Sequence, residues 1–298
     1  MQEISVIILT YNEELHIERA ILNAKKFASK IYVIDSYSTD RTVEIAKSLG
    51  TNVYQRAFLY QAEQFNWGLD NLPINTEWIF RIDADEYLSD ELIEEVKTTI
   101  ANSKPDDGIN GYTVHRKMMF LGKHIKHGIV PMIILRLFRK GHARVEDKMM
   151  DEHLMLTDGV VHELMYPLFD DNKKGLTAWT QKHNGYSTRE AIDLLCTEYN
   201  IGNDNAINNT GAHSKKVRKQ KLRYAKLPLF WRAFAFFIYR YIFRLGFIDG
   251  KEGFLWHFLQ GFWYRALADA KVYEIKKQHN FDKDKIKQFV TQYLKDHN

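Results

Sequence analysis

The sequence predicts an α/β fold with a mostly parallel central sheet, flanking helices and an aromatic-rich helical region towards the carboxyl end. Three observations carry this reading. Short β-branched apolar runs alternate with segments of helical period through about residue 100; each run ends on polar residues; and aromatics saturate the chain beyond Leu227.

"ISVIILT" at residues 4–10 is the kind of apolar run expected of a central parallel strand covered on both faces. After "YNEE", Ile17, Ala20, Ile21, Ala24 and Phe27 recur at helical spacing, and "KIYVIDS" gives a second strand ending at Asp35. "STDRTVEIAKSLG" repeats the helix, with Asp40 as N-cap and Gly50 as the stop. "NVYQR" is a third strand, Gln61 to Leu72 a helix, and "EWIFRID" a fourth strand. Residues 110–183 are less regular, with strands expected at "GYTVHRKMMFLG" and "MIILRLFRKG". The chain therefore divides into a first half of about residues 1–100, a second of about 101–210, and a helical region over 211–298.

Composition narrows the function. The 45% hydrophobic and 27% charged content is that of a folded soluble protein, and a net charge of +4 is too small to require a nucleic-acid partner. One cysteine, Cys196, excludes an internal disulfide and any cysteine-cluster metal site, which suits a reducing compartment. "MQEISVIILTYNEE" lacks the basic start and long apolar core of a signal peptide, so a cytoplasmic location is expected.

In open α/β sheets, ligands bind outside the carboxyl ends of the strands. Here those ends carry Thr10 to Glu13, Asp35 to Ser38, and Asp83, Asp85 and Glu86 in "WIFRIDADEYL". Three carboxylates within four residues repel one another, and in a continuing strand Asp83 and Asp85 would face one space while Ala84 faces the other. Something positive is expected there. The chain has neither GxGxxG after the first strand nor GxxxxGK[ST], so a phosphate ligand needs another cradle. Mg²⁺ or Mn²⁺, held by one or two carboxylates and completed by diphosphate oxygens and water, would supply it.

Taken together, "VIILTYNEE", "VIDSYSTDRT" and "RIDADE" resemble the nucleotide-sugar half of inverting family 2 glycosyltransferases, which have the GT-A fold. "KMMDEHL" and "WTQKHNGY" are similar to segments of bacterial enzymes that build surface polysaccharide or lipopolysaccharide. The resemblance implies a metal-dependent inverting transfer from a nucleotide diphosphate donor, UDP-linked, onto a lipid-linked or lipopolysaccharide acceptor. It implies that Thr10, Tyr11, Glu13 and Asp35 line the nucleoside pocket, with Gln61 and Asn66 as further donor-pocket candidates. Asp83, beside Ala84, would face the ribose or the metal, Asp85 would ligate the metal, and His183 in "KHNGY" would contact diphosphate or metal. Asp151 and Glu152 stand where the family carries its general base, and either acid could serve; His153 could orient its neighbour or simply pack. Two rivals remain. A nucleotidyltransferase calls for a basic glycine-rich loop where "TYNEEL" is acidic and has no glycine, and an inactive membrane-attached scaffold leaves Asp85 and the candidate base without a purpose.

Seven of the twelve histidines fall between residues 115 and 183, none in HExxH spacing. "LPLFWRAFAFFIYRYIFRLGFI", Leu227 to Ile248, is near the roughly 20 residues needed to span a bilayer. Arg232, Arg240 and Arg244 interrupt it, and an Arg at the bilayer centre costs about 2.5 kcal/mol or more. With the basic "KKVRKQKLR" before it and "FLWHFLQGFWYRALADAKVY" after it, the segment reads as an interfacial helix, rings at headgroup depth and cations on anionic lipid, peripheral on the inner face of the cytoplasmic membrane. A buried packing surface is the alternative.

Overall fold

The computed structural model describes residues 3–104, 107–129, 131–146, 153–201 and 224–296. They form two compact units, residues 1–125 with 130–174, and residues 126–129 with 175–298. The division thus falls at Lys174/Gly175.

The first unit contains β1 (Ile4–Thr10), α1 (Ile17–Ala24), β2 (Lys30–Asp35), α2 (Thr42–Ser48), β3 (Asn52–Gln55), α3 (Gln61–Asn71), β4 (Trp78–Asp83), β5 (Glu86–Leu88), α4 (Asp90–Asn102), β6 (Ile109–Phe120), β7 (Lys123–His124), β8 (Met132–Arg139), β9 (Ala143–Val145), β10 (Leu154–Leu156) and β11 (Val160–Asp170). The main sheet runs β3-β2-β1-β4-β8-β6-β11-β5, with β7 on β6 and a separate β9–β10 pair. β3, β2, β1 and β4 are parallel; β8 is antiparallel to both β4 and β6; β11 is parallel to β6. This is the α/β class expected from the sequence, with a mixed sheet in which β3, β2, β1 and β4 form the parallel part.

All seven residues of β1 are buried, which is why it reads as a continuous apolar run. Alternate side chains serve opposite faces. Val6, Ile8, Phe80 and Ile82 share one core with Ile17 and Ile21 of α1 and Leu92 and Val96 of α4; Ile7, Leu9, Ile34 and Ile79 share the other with Ala62 and Phe65 of α3. Thr10 pairs in register with Asp35, and Leu9 with Asp83. The three polar strand ends are therefore level with one another, and this registry builds the site.

β11 does not show in the sequence pattern. Its alternation is broken by irregularities after Val160 and between Glu163 and Pro167, where the pairing with β6 shifts.

In the second unit, α5 (Gly175–Tyr199) packs Ala191, Ile192 and Leu195 against Val272, Ile286 and Val290 from the helices Tyr264–Gln278 and Lys283–Asp296. Trp231–Ile238 is α-helical and continues as a π turn over Tyr239–Phe243. Two of the three arginines here, Arg232 and Arg240, do not face outward. Arg232 is buried in a two-nitrogen pair with Asp269, and buried Arg240 donates from Nε to the Gly128 carbonyl at 2.7 Å and from its guanidinium to Gln260. Of the three, Arg244 alone is exposed. The rings point the other way, with Trp231 and Phe243 each 72% exposed. Two buried cations need partners more than two rings need burial, and Asp269, Gly128 and Gln260 lie inside. Among the described residues, no helix is long and apolar enough to cross a membrane.

Candidate active site

Asp35 is the hub of the first two strand ends. Its fully buried carboxylate accepts from Thr10 Oγ1 at 3.1 Å, from the Ser38 amide at 2.9 Å, from the Ser38 hydroxyl, and from Gln55 Nε2 at 3.3 Å. Ser38 Oγ in turn accepts the Asn12 amide at 2.8 Å, joining the loop after β1 to the loop after β2. Both loops carry a non-glycine residue at positive φ, Asn12 at 54° and Tyr37 at 57°. Such conformations persist where surroundings impose them, and they cluster at functional sites. Tyr11 and Tyr37 are each 56% exposed, so two aromatic rings stand free beside the buried Thr10–Asp35 pair.

Glu13 is held from two sides: Oε1 accepts from Lys174 Nζ and Oε2 from His16 Nδ1, each at 2.6 Å. Buried His16 accepts the Lys173 amide on Nε2 at 2.8 Å, which fixes its tautomer with the proton on Nδ1. Burial opposes ionisation of Glu13, but the His16 and Lys174 contacts outweigh it and hold the carboxyl below its usual range.

The carboxylate cluster resolves differently from the strand pattern. β4 ends at Asp83, Ala84 and Asp85 form a turn, and β5 resumes at Glu86, so Asp83 and Asp85 are not strand neighbours on one face. The positive charge demanded by Asp83 and Glu86 comes from arginine. Arg136 of β8 donates to Asp83 Oδ2 at 3.1 Å and to Glu86 Oε1 at 2.6 Å, Arg81 lies 3.5 Å from Asp83 Oδ1, and Arg116 lies 3.7 Å from Glu86. Glu86 Oε2 also accepts the Asp83 amide at 3.0 Å. Burial would raise the pKa of Asp83, yet Arg136, Arg81 and Arg116 hold it far below the ordinary range; Glu86, wholly buried beside that charge, is pushed up. Asp83 Oδ1 is buried without a hydrogen bond. No arginine carboxylate pair reaches Asp85 among the described residues; its Oδ2 accepts from the Asn172 side chain at 2.9 Å. Sequence reasoning missed Arg116, Arg136, Asn172 and Lys174, because the fold sets them beside residues far away in the chain, and it passed over Arg81 and His16, which stand two and three residues from Asp83 and Glu13.

Ala84 is buried within the turn. Gln61 opens α3 and is half-buried. Asn66, by contrast, spends its amide on the Val145 backbone, donating to the carbonyl at 2.9 Å and accepting from the N–H at 3.0 Å. It braces β9. A neighbour that sequence reasoning passed over, Gln64, donates to Ser36 Oγ at 2.7 Å just beyond Asp35.

Asp151 and Glu152 lie outside the described residues. The chain on either side is joined, since the Glu146 amide donates to the His153 carbonyl at 3.0 Å where β9 and β10 pair. His183 belongs to the second unit. Its ring stacks on Trp179 at 3.6 Å and donates from Nδ1 to the Trp179 carbonyl at 2.8 Å, and burial lowers its pKa. Other histidines of the middle region sit in separate pairs, His115 with Glu163, His142 with Asp158 and His127 with Asp249. Among the described residues, no group of three or more His, Cys, Asp or Glu side chains is arranged to hold a metal.

Residues 5–147 match the Glycosyl transferase family 2 model. Over 284 residues the chain is 29% identical to an uncharacterized glycosyltransferase of Rickettsia typhi, covering 92% of this chain and 88% of that one. Over 153 residues it is 30% identical to the lipopolysaccharide core biosynthesis glycosyltransferase LpsC of Rhizobium meliloti, covering 48% and 53% of the two chains. Among solved structures, the mannosyltransferase PcManGT of Pyrobaculum calidifontis, in complex with GDP-Man and Mn²⁺, aligns over 91% of this chain and 87% of that one, with 17% identity and a TM-score of 0.49.

Proposed function

We propose, for this family 2 glycosyltransferase whose matching domain spans residues 5–147, an inverting transfer of a sugar from a nucleotide diphosphate donor, UDP-linked, to a hydroxyl of a lipid-linked or lipopolysaccharide acceptor. The observation that carries the reading is the division of labour among the carboxylates. Arginines neutralise Asp83 and Glu86, while Asp85, next to them on the turn, keeps an unneutralised carboxylate at the carboxyl ends of the strands.

In this reading Thr10, Tyr11, Glu13 and Asp35 form the nucleoside pocket, with Gln61 at its edge. The exposed ring of Tyr11 offers a stacking face for the base. Asp83 Oδ1, buried and without a hydrogen bond, suits a ribose hydroxyl donor. The residues fit a divalent metal of the Mg²⁺ or Mn²⁺ kind, which needs only one or two protein carboxylates when substrate phosphates and water complete its shell. Asp85 would hold it. Bound there, such an ion would neutralise charge on the departing diphosphate. Asp151 or Glu152 takes the proton of the acceptor hydroxyl as that oxygen attacks the anomeric carbon from the face opposite the leaving group. The acceptor class rests on the "KMMDEHL" and "WTQKHNGY" resemblance and on the name of the Rhizobium relative.

An anionic membrane surface completes the proposal. Trp231, Phe234, Phe243, Phe247 and Ile248 are exposed apolar side chains of the second unit, and Lys226, Arg244 and Lys251 are exposed in the same stretch of chain. Nucleotide diphosphate release, followed over a panel of UDP- and GDP-sugars with Mn²⁺ and a lipid-linked acceptor, tests the reaction. One donor should give acceptor-dependent release; absence of turnover with tight donor binding would favour a non-catalytic scaffold.

A further inference from the structure

β11 ends at Asp170, and the four residues after it contact the loop after β1 and the Asp85 turn. The Asp171 amide donates to the Asp85 carbonyl at 3.0 Å, the Lys173 amide to His16 Nε2 at 2.8 Å, and Lys174 Nζ to Glu13 Oε1 at 2.6 Å. Arg19 clamps the same place from α1, donating to the carbonyls of Asp85 at 3.1 Å and Asp171 at 2.9 Å and pairing with the Asp171 carboxylate. The backbone of the Asp85 turn is thus fixed from two directions.

The side chain of Asp85 is fixed by Asn172 alone among the described residues. Asn172 Nδ2 donates to Asp85 Oδ2 at 2.9 Å, while Asn172 Oδ1 accepts the Lys174 amide at 3.0 Å in an Asx turn that sets the rotamer of the donor. The chemistry of that partner matters. An arginine at this point would orient Asp85 and also neutralise it, as Arg136 does for Asp83 and Glu86. An amide orients a carboxylate and leaves its charge, and one oxygen, for a cation.

We infer that Asn172 is a positioning residue for Asp85: it aims the carboxylate at the divalent metal of the donor complex without neutralising it. The inference rests on the reading of Asp85 as the metal-bearing residue. Asn172 needs no contact with the metal or the nucleotide, because a group that orients a ligand commonly sets about 10- to 100-fold of metal affinity.

The experiment is a calorimetric titration of the full chain with UDP, and separately GDP, at a series of Mn²⁺ concentrations. It compares wild type, Asp85→Asn, Asn172→Ala, Asn172→Ser and the Asp85→Asn, Asn172→Ala double variant, with the thermal midpoint of each recorded. Serine keeps an acceptor for the Lys174 amide through the equivalent hydroxyl turn but loses the amide donor, so it separates the bond to Asp85 from the shape of the strap. Both Asn172 variants should need about tenfold or more Mn²⁺ for half-maximal nucleotide binding, with midpoints near wild type. In the Asp85→Asn background, Asn172→Ala should have no further effect, since residues acting through one another are not additive. Wild-type Mn²⁺ dependence in the serine variant, or an equal loss in the Asp85→Asn background, overturns the inference. If Asp85→Asn itself binds nucleotide with unchanged Mn²⁺ dependence, the assignment of Asp85 fails and the role of Asn172 fails with it.

Discussion

At the residue scale the sequence posed a charge problem, and the fold answers it with arginine for two of the three acids. Arg136 and Glu86 are buried and Asp83 is half-buried, so removing the guanidinium leaves two carboxylates without their main counter-charge. Arg136→Met should lower stability by about 3–5 kcal/mol, the usual cost of removing one partner from a buried ion pair. Chemical denaturation checks this, and a loss below about 1 kcal/mol would mean that the Asp83–Glu86 pair is sustained by Arg81 and Arg116. The general base has a different signature. Asp151→Asn or Glu152→Gln, whichever acid serves, should cost about 10² to 10⁴ in transfer rate while nucleotide binding with Mn²⁺ persists. Normal transfer by both single variants would put the base elsewhere.

At the scale of elements, the sequence disclosed what local periodicity records. β1, β2 and β4 are buried on both faces and read as apolar runs with polar ends, a pattern sufficient to group Thr10, Asp35 and Asp83, and the shared register of the strands sets those three level. What pairing and packing decide was not legible. The turn at Ala84–Asp85 ends the strand alternation, β11 hides its pattern in a shifted register, and the strap after it gains meaning only from contacts with residues about 90 to 160 positions away. Asn66 shows the same limit, a polar residue of α3 whose partner is a β9 backbone no local pattern announces. In the second unit, His257 is packed so tightly that a Cβ on Gly246 would come within 2.4 Å of its ring. Gly246→Ala should therefore cost about 1–3 kcal/mol through forced displacement. The same burial, with Arg240 nearby, lowers the pKa of His257 to about 4. Its unfolded value is about 6.5, so between those values the unfolded chain holds the extra proton and stability must fall as pH drops. This contribution is complete above about pH 6.5 and lost through pH 4, amounting to about 3 kcal/mol. Denaturation of wild type and His257→Gln at pH 7 and pH 4.5 should show the smaller acid loss in the variant; equal losses would place the acid sensitivity in other groups.

At the scale of the whole molecule, the aromatic tail divides its side chains between interior and surface. Arg232 and Arg240 serve the interior while Trp231 and Phe243 stand exposed, an arrangement that fits lipid contact driven by ring burial, with charge from Lys226, Arg244 and Lys251 as the smaller part. Trp231→Glu and Phe243→Glu change exposed side chains, so they should abolish flotation with anionic liposomes while leaving the thermal midpoint within a few degrees of wild type; continued flotation would assign the face to another partner. The central claim turns on Asp85, the acid whose carboxylate no arginine pairs with among the described residues. The most direct test measures release of nucleotide diphosphate by wild type and Asp85→Asn at saturating Mn²⁺ with the preferred donor and acceptor, alongside thermal unfolding of both. The expected result is a fall of orders of magnitude in rate with the unfolding midpoint unchanged. Near-wild-type turnover by Asp85→Asn, with metal still required, would contradict it.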